Sequence, residues 1–193
     1  MSNSVWVSQL ASTSAFGCLQ SNGYSGALIR AYRTILGTDP NFTANIQNVQ
    51  SAGMTAGAWV SLVGQMPTTD AATVAQKVKD ANVQDAVLWL DTSGANYWPS
   101  DQSSAQSAFT SLLAAFKATG LSLGISTASS DWSSIFGADF SPASDLPLMY
   151  AHFDGVQSFS DFAPFGGWST PTAKTYSGDT RLCGVQIDRI WQP

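Results

Sequence analysis

Glutamate is absent from this chain: all 13 acidic residues are aspartates, set against four lysines, four arginines and one histidine. Only 11% of the 193 residues are charged, where a soluble domain ordinarily carries roughly a quarter. Ser, Thr, Asn, Gln and Gly must therefore cover most of the surface, and serine alone occurs 27 times. Such a surface repels its own copies weakly, which predicts either the neutral polar coat of a secreted protein or self-association. A net charge of −5 with scattered basic residues makes no phosphate-tracking stripe and excludes nucleic acid as a partner. No apolar run reaches the ~18 residues that a membrane span needs, so no membrane partner is expected. A single histidine and the lack of Gly-x-Ser-x-Gly argue against a serine triad. No His/Cys pair stands at ligand spacing, so neither a metal nor a cofactor is expected.

What is present begins with two cysteines, Cys18 and Cys183, near opposite ends. In a closed barrel the first and last strands are neighbours, so a bridge between them is geometrically reasonable. Two buried thiols are the alternative. A bridge would close a very long loop and add on the order of 4 kcal/mol in the chain-entropy model. Met1-Ser2-Asn3-Ser4 leads straight into strand-like sequence with no leader peptide. Either the chain is cytoplasmic or Met1 stands where a leader has been removed. Asn41-Phe42-Thr43 is a glycosylation sequon, a weak signal that agrees with secretion.

Short apolar runs alternate with amphipathic stretches, the pattern of βα units around a parallel sheet. Val5 to Leu10 reads as a first strand, and Ser12-Thr13-Ser14 caps a helix carrying Phe16 and Leu19. Ser25 to Tyr32 is a second strand, and Asp39-Pro40 starts a helix running to about Ala52. Met54 to Val63 is a third strand, followed by a helix from Asp70 to Ala81 with Val74 and Val78 on one face. Ala86 to Asp91 is the fourth strand. The clearest helix spans Asp101 to Thr119, with Phe109, Leu112, Leu113 and Phe116 at i, i+3, i+4 and i+7 and Gly120 as its stop. Leu121 to Thr127 is the fifth strand and Asp131 to Phe136 a short helix. Helical signals then fade, leaving strands over Leu146 to Ala151, Thr172 to Tyr176 and Val185 to Trp191. This is one α/β barrel, a single domain over residues 1–193.

Barrel sites form at the C-terminal ends of the strands. Those ends carry Trp6 with Ser8, Arg30 with Tyr32, Trp59, Asp91 with Ser93, Ser126, and Met149 with Tyr150, His152 and Asp154. The set is aromatic, hydroxylic and sparsely acidic, which suits sugar stacking better than phosphate or metal binding. Asp91 and Asp188 lie on strongly apolar strands and are the candidate acids; each could equally cap a loop amide. Alternation puts Arg189 on the face opposite Asp188 and leaves Arg30 to neutralise Asp91. The lone His152 reads as a structural residue rather than a base. Trp98, Trp132, Phe159, Phe162, Phe165 and Trp168 either line a groove or pack a long loop. The strand Val87-Leu88-Trp89-Leu90-Asp91 ends in one acid followed by Ser93, where a glycosidase needs two carboxyl groups.

A set of motifs runs along nearly the whole chain: Val7-Ser8-Gln9-Leu10 with Ala15 to Leu19, Asn22-Gly23-Tyr24 through Tyr32, and Leu88 to Asp91; then Leu121 to Ile125, Leu146-Pro147-Leu148 with Tyr150 to Asp154, Ser158 to Trp168, and Leu182-Cys183-Gly184 with Ile187-Asp188. Together they resemble family-25 glycoside hydrolases, the muramidase lysozymes, and especially their small eukaryotic branch. The resemblance implies a flattened (β/α)5(β)3 barrel, strengthens a Cys18–Cys183 bridge, and implies a secreted or endolysosomal or phagosomal location. It also implies that Trp6 replaces a first-strand aspartate and that Ser93 replaces the general-acid glutamate of an Asp-x-Glu motif. Ser126 replaces a tyrosine and Met149 a tryptophan, while Asp188 is retained.

Losing the acid alone should remove a factor of roughly 10² to 10⁴ in rate, and Trp6 adds about 200 Å² of bulk to the pocket floor. The expected protein is a catalytically silent lysozyme relative whose Asp91 and Asp188 are vestigial. Its groove would still bind a peptidoglycan- or chitin-type oligosaccharide through Arg30, Tyr32, Trp59, Tyr150, His152 and Asp154. Two alternatives remain: a structural, storage or self-assembling protein on the same barrel, and a residual muramidase using Asp91 with Asp188 or Asp154.

Overall fold

Side chains alternate across a strand, so each strand of a barrel divides its residues between the lumen and the surrounding helices. In the computed structural model, which describes residues 2–83, 85 and 87–193, this division organises the molecule. Strands β1 (Ser2–Val7), β2 (Gly26–Arg33), β4 (Thr55–Ser61), β5 (Val87–Asp91), β6 (Ser122–Thr127), β7 (Leu148–Ala151) and β8 (Ala173–Leu182) run parallel. The last strand, β9 (Val185–Gln192), pairs antiparallel with both β8 and β1 and closes the barrel. A two-residue strand, β3 (Gly37–Thr38), hangs on the end of β2. Helices α1 (Thr13–Ser21), α2 (Phe42–Ser51), α3 (Asp70–Asp80), α4 (Gln102–Lys117) and α5 (Ser129–Phe136) follow the first five barrel strands. The element order is therefore the expected (β/α)5(β)3, with β3 added.

Outward residues such as Val5, Ile29, Val60, Leu90 and Ile125 pack under Phe16, Ile46, Val74, Phe109 and Phe116 of the helices. The lumen is filled by Trp6, Leu28, Trp59, Trp89, Met149, Ala173 and Ile190. Three inward tryptophans and Met149 crowd this space, and a glycine makes room for one of them: a Cβ on Gly124 would lie 2.6 Å from the Trp89 ring. Ser12 caps α1 by accepting from the Ala15 N–H, and Asp101 caps α4 by accepting from the Ser104 N–H at 2.8 Å.

Two strand boundaries differ markedly from expectation. The first strand is Ser2–Val7 rather than Val5 to Leu10, and Leu10 is exposed. Ser2 to Ser4 carry no hydrophobic signal, yet they pair with β9, and Ser4 packs against Gly26, so small residues rather than apolar ones fill that end of the lumen. The seventh parallel strand runs on to Leu182, because Ser177 to Leu182 form a bulged hairpin with β9 that polar composition disguised as loop. Its two-residue turn, Cys183-Gly184, has positive φ at both positions, as a primed hairpin turn requires. Ala86, the expected first residue of the fourth strand, lies outside the described residues. The Cys18–Cys183 disulfide forms, with 5.8 Å between Cα atoms, and ties this turn to α1.

Candidate functional site

The C-terminal ends of the strands open on a cavity of about 240 Å³. Trp6 of β1 and Trp59 of β4 form one wall, their rings 4.4 Å apart and inclined at 46°. Asp91 and Ser93 come from the end of β5, and Ser126 from β6. Asp131 enters from α5, Thr175 from β8 and Asp188 from β9, with Phe153 standing 63% exposed at the rim. The outer-surface hollow between Thr43 and Gln76 has Asp80 beside Lys77 and, among the described residues that line it, no aromatic face.

Trp6, Ser93, Ser126 and Met149 find their polar partners within the site. The Ser93 hydroxyl donates to Asp91 Oδ1 at 2.8 Å, and Ser126 is a second hydroxyl partner of the same carboxylate. The Trp6 indole N–H points to the Met149 sulfur at 3.3 Å. Burial pushes the Asp91 carboxyl up to about 6, with Asp131 adding to the rise and the serine hydroxyls opposing it. Asp188 is also raised by burial, against the Asp179 N–H that donates to its Oδ1 at 2.8 Å. Two lining side chains hold polar atoms without a partner among the described residues: the Trp59 indole N–H and the Thr175 hydroxyl.

Several expected site residues lie elsewhere. Arg30 does not neutralise Asp91: its Nε pairs with Asp39 at 2.9 Å, its Nη2 donates to the Ser8 carbonyl, and its guanidinium lies 5.8 Å from the Trp59 ring centre. Tyr32 leaves the groove altogether. A bulge between Arg30 and Tyr32 shifts the alternation, so Tyr32 turns outward and its hydroxyl donates to Asp70 at 2.8 Å. Arg189 acts on Tyr24 from outside the barrel, as alternation from Asp188 requires.

His152, Asp154 and Tyr150 belong to a clamp beside the cavity. Its centre is Lys174, fully buried, whose ammonium donates to Asp154 at 2.8 Å, Asp161 at 2.9 Å and the Ser158 carbonyl. His152 Nδ1 pairs with Asp161, and Tyr150 places its ring 5.8 Å from the ammonium. The donor atoms of His152, Asp154 and Asp161 lie within 4.8 Å of one another, a metal-like grouping, but Lys174 already supplies the positive charge between the carboxylates. The aromatics of the long loop pack rather than line: Trp132 lies 4.8 Å from Trp168, Phe162 5.1 Å from Tyr150, Phe159 4.9 Å from Trp191, and Phe165 5.6 Å from Trp168. Trp98 likewise sits against Phe136 and donates to the Thr92 carbonyl.

Sequence reasoning missed Asp131, Phe153 and Thr175 in the cavity, and Asp161 and Lys174 in the clamp. Asp131 read as a helix start, although it follows the end of β6 by only a few residues. Lys174 carried a usable signal, because a lysine in the middle of an expected barrel strand must find a counter-charge wherever that strand is buried.

The family model described as "Lys-1: Lysozyme-like protein 1" matches residues 1–176. The chain is 38% identical to a Dictyostelium discoideum protein described as probable GH family 25 lysozyme 2, over 97% of this chain and 89% of that one. It is 32% identical to lysozyme-like protein 5 of Caenorhabditis elegans, covering 99% and 91%. The bacterial lysozyme from Streptomyces coelicolor shares the fold at a TM-score of 0.75 and 23% identity, over 99% and 91% of the two chains. A family GH25 lysozyme from Aspergillus fumigatus does so at 0.73 and 16% identity, over 100% and 95%.

Proposed function

The chain belongs to the lysozyme-like proteins of glycoside hydrolase family 25, and from that premise we propose that it binds a peptidoglycan- or chitin-type oligosaccharide at the barrel mouth without cleaving it. The observation that carries this reading is the Ser93–Asp91 pair. A glycosidase cuts by protonating the leaving oxygen while a second carboxylate stabilises or attacks the anomeric carbon. Two residues beyond Asp91 stands a hydroxyl, far too weak an acid for that task, and its proton is directed at Asp91. At the first-strand position an indole fills the space of a carboxylate, with its N–H held by Met149. Loss of a positioned acid lowers the rate by roughly 10² to 10⁴.

What remains suits recognition. Indole faces, an exposed phenyl ring at the rim and hydrogen-bonding groups on Asp91, Asp188 and Ser126 can hold a pyranose on its apolar face and by its hydroxyls. Titration calorimetry with chitin oligomers and peptidoglycan fragments should give saturable heat with no release of reducing ends. An absence of heat with every such oligosaccharide removes the proposal.

One observation favours a second reading, a surviving muramidase. Asp91, pushed up to about 6, carries a proton under acidic conditions, and Asp188 lines the same cavity. Asp154, the other candidate partner, is engaged by Lys174. This reading requires bacterial-wall lysis at pH 5 that fades above pH 7 and is abolished in Asp91→Asn. Intact turbidity at pH 5 eliminates it. A secreted, endolysosomal or phagosomal location fits the Cys18–Cys183 disulfide, which persists in oxidising compartments.

A further inference from the structure

Within the glycan-binding reading, on which this inference rests, we propose that the cavity selects a protonated amine, carried by a de-N-acetylated amino sugar such as a glucosamine unit. Three carboxylates converge on the cavity from three separate elements: Asp91 from β5, Asp131 from α5 and Asp188 from β9. No lysine, arginine or histidine is among the described residues that line it. The basic groups nearby are committed elsewhere, Arg30 to Asp39 at 2.9 Å and Lys174 to Asp154 and Asp161 at 2.8 and 2.9 Å. Positive charge at the mouth must therefore arrive with the ligand. The indole faces of Trp6 and Trp59 add to the attraction, since ring faces draw cations.

The unpartnered groups narrow the ligand further. Thr175 is 4% exposed and Trp59 8%, and both line the cavity with a polar atom unsatisfied. A hydroxyl can accept from an ammonium group, as the carboxylates do. An indole N–H can only donate, so it needs an oxygen on the ligand. A simple alkylamine answers the first requirement and not the second; an amino sugar answers both. The volume of about 240 Å³ lies below the ~300–1,000 Å³ of sites for drug-sized ligands, which leaves room for about one sugar ring. An acetamido group in the same place would bring no positive charge to the three carboxylates, two of which, Asp91 and Asp188, burial already raises.

The test is calorimetry at pH 6.5 on the intact protein with three probes: a glucosamine trimer, an N-acetylglucosamine trimer and n-butylamine. The glucosamine trimer should bind at least tenfold tighter than its acetylated counterpart, and the advantage should shrink as salt is raised. Asp131→Asn should bring the ratio of the two trimers toward one; if that variant fails to fold, Asp188→Asn carries the same expectation. Equal or weaker binding of the glucosamine trimer overturns the inference and leaves the glycan-binding reading standing. Heat from neither trimer overturns both. Butylamine binding as tightly as the glucosamine trimer overturns the assignment to a sugar.

Discussion

Burial holds the Asp91 carboxyl near 6, and the hydroxyls of Ser93 and Ser126, which favour its ionised form, offset only part of that rise. In the unfolded chain the same group titrates near 3.8. A carboxyl raised on folding gives stability that is complete below the unfolded value and lost as pH climbs through 6. Asp91→Asn, which keeps an oxygen to accept from Ser93, should therefore raise stability at pH 7 by on the order of 2 kcal/mol. The gain should vanish at pH 4, and thermal melts at the two pH values check both halves. At this scale the sequence disclosed Asp91, Asp188, Trp6 and Ser93, because each sits in or just beyond a strand whose register alternation reveals. Tyr32 was misassigned because a bulge breaks that alternation, and nothing in the residues around Ala31 announces it. Phe153 and Thr175 escaped notice because an exposed phenylalanine and a strand threonine look alike in and out of a site.

The β8–β9 hairpin shows what a barrel of this kind asks of its last elements. Its turn places Cys183 at a φ of 54°, beside Gly184 at 79°, and the disulfide carries the turn to Cys18 in α1 across 165 residues of sequence. Replacing both cysteines with serine should cost about 4–5 kcal/mol, since the constraint on the unfolded chain scales with so long a loop. A denaturant midpoint unchanged between the oxidised protein and that variant would contradict this. The order of strands and helices was legible because amphipathic periods of 3.6 residues mark α1 to α5 clearly. The ends of β1 and β8 were not, because barrel closure depends there on serine, glycine and backbone pairing rather than on apolar side chains.

Over the whole molecule two families of aspartate oppose each other. Burial raises Asp91 and Asp188, whereas hydrogen bonds from Lys174 lower Asp154; Asp161, despite its own burial, is held well below the usual range by Lys174 and His152. Asp91 contributes stability as pH falls through 6, and Asp188, also raised, contributes in the same direction. The second pair's contribution is present above the unfolded value and lost as pH falls below about 4. The melting temperature should therefore peak between about pH 4 and 6. The isoelectric point of about 4.4 lies in that interval, so light scattering should find the greatest self-association where the fold is firmest. A flat melting profile from pH 3 to 8 would contradict the first expectation, and a monomer at high concentration near pH 4.4 the second. Among seven tryptophans, Trp98 and Trp132 are locked in the outer core, while Trp6 and Trp59 sit tilted against each other at the mouth. That inclined pair is a coupled chromophore built into the cavity wall, so an unlabelled sample should announce a guest through its near-ultraviolet circular dichroism and its emission colour.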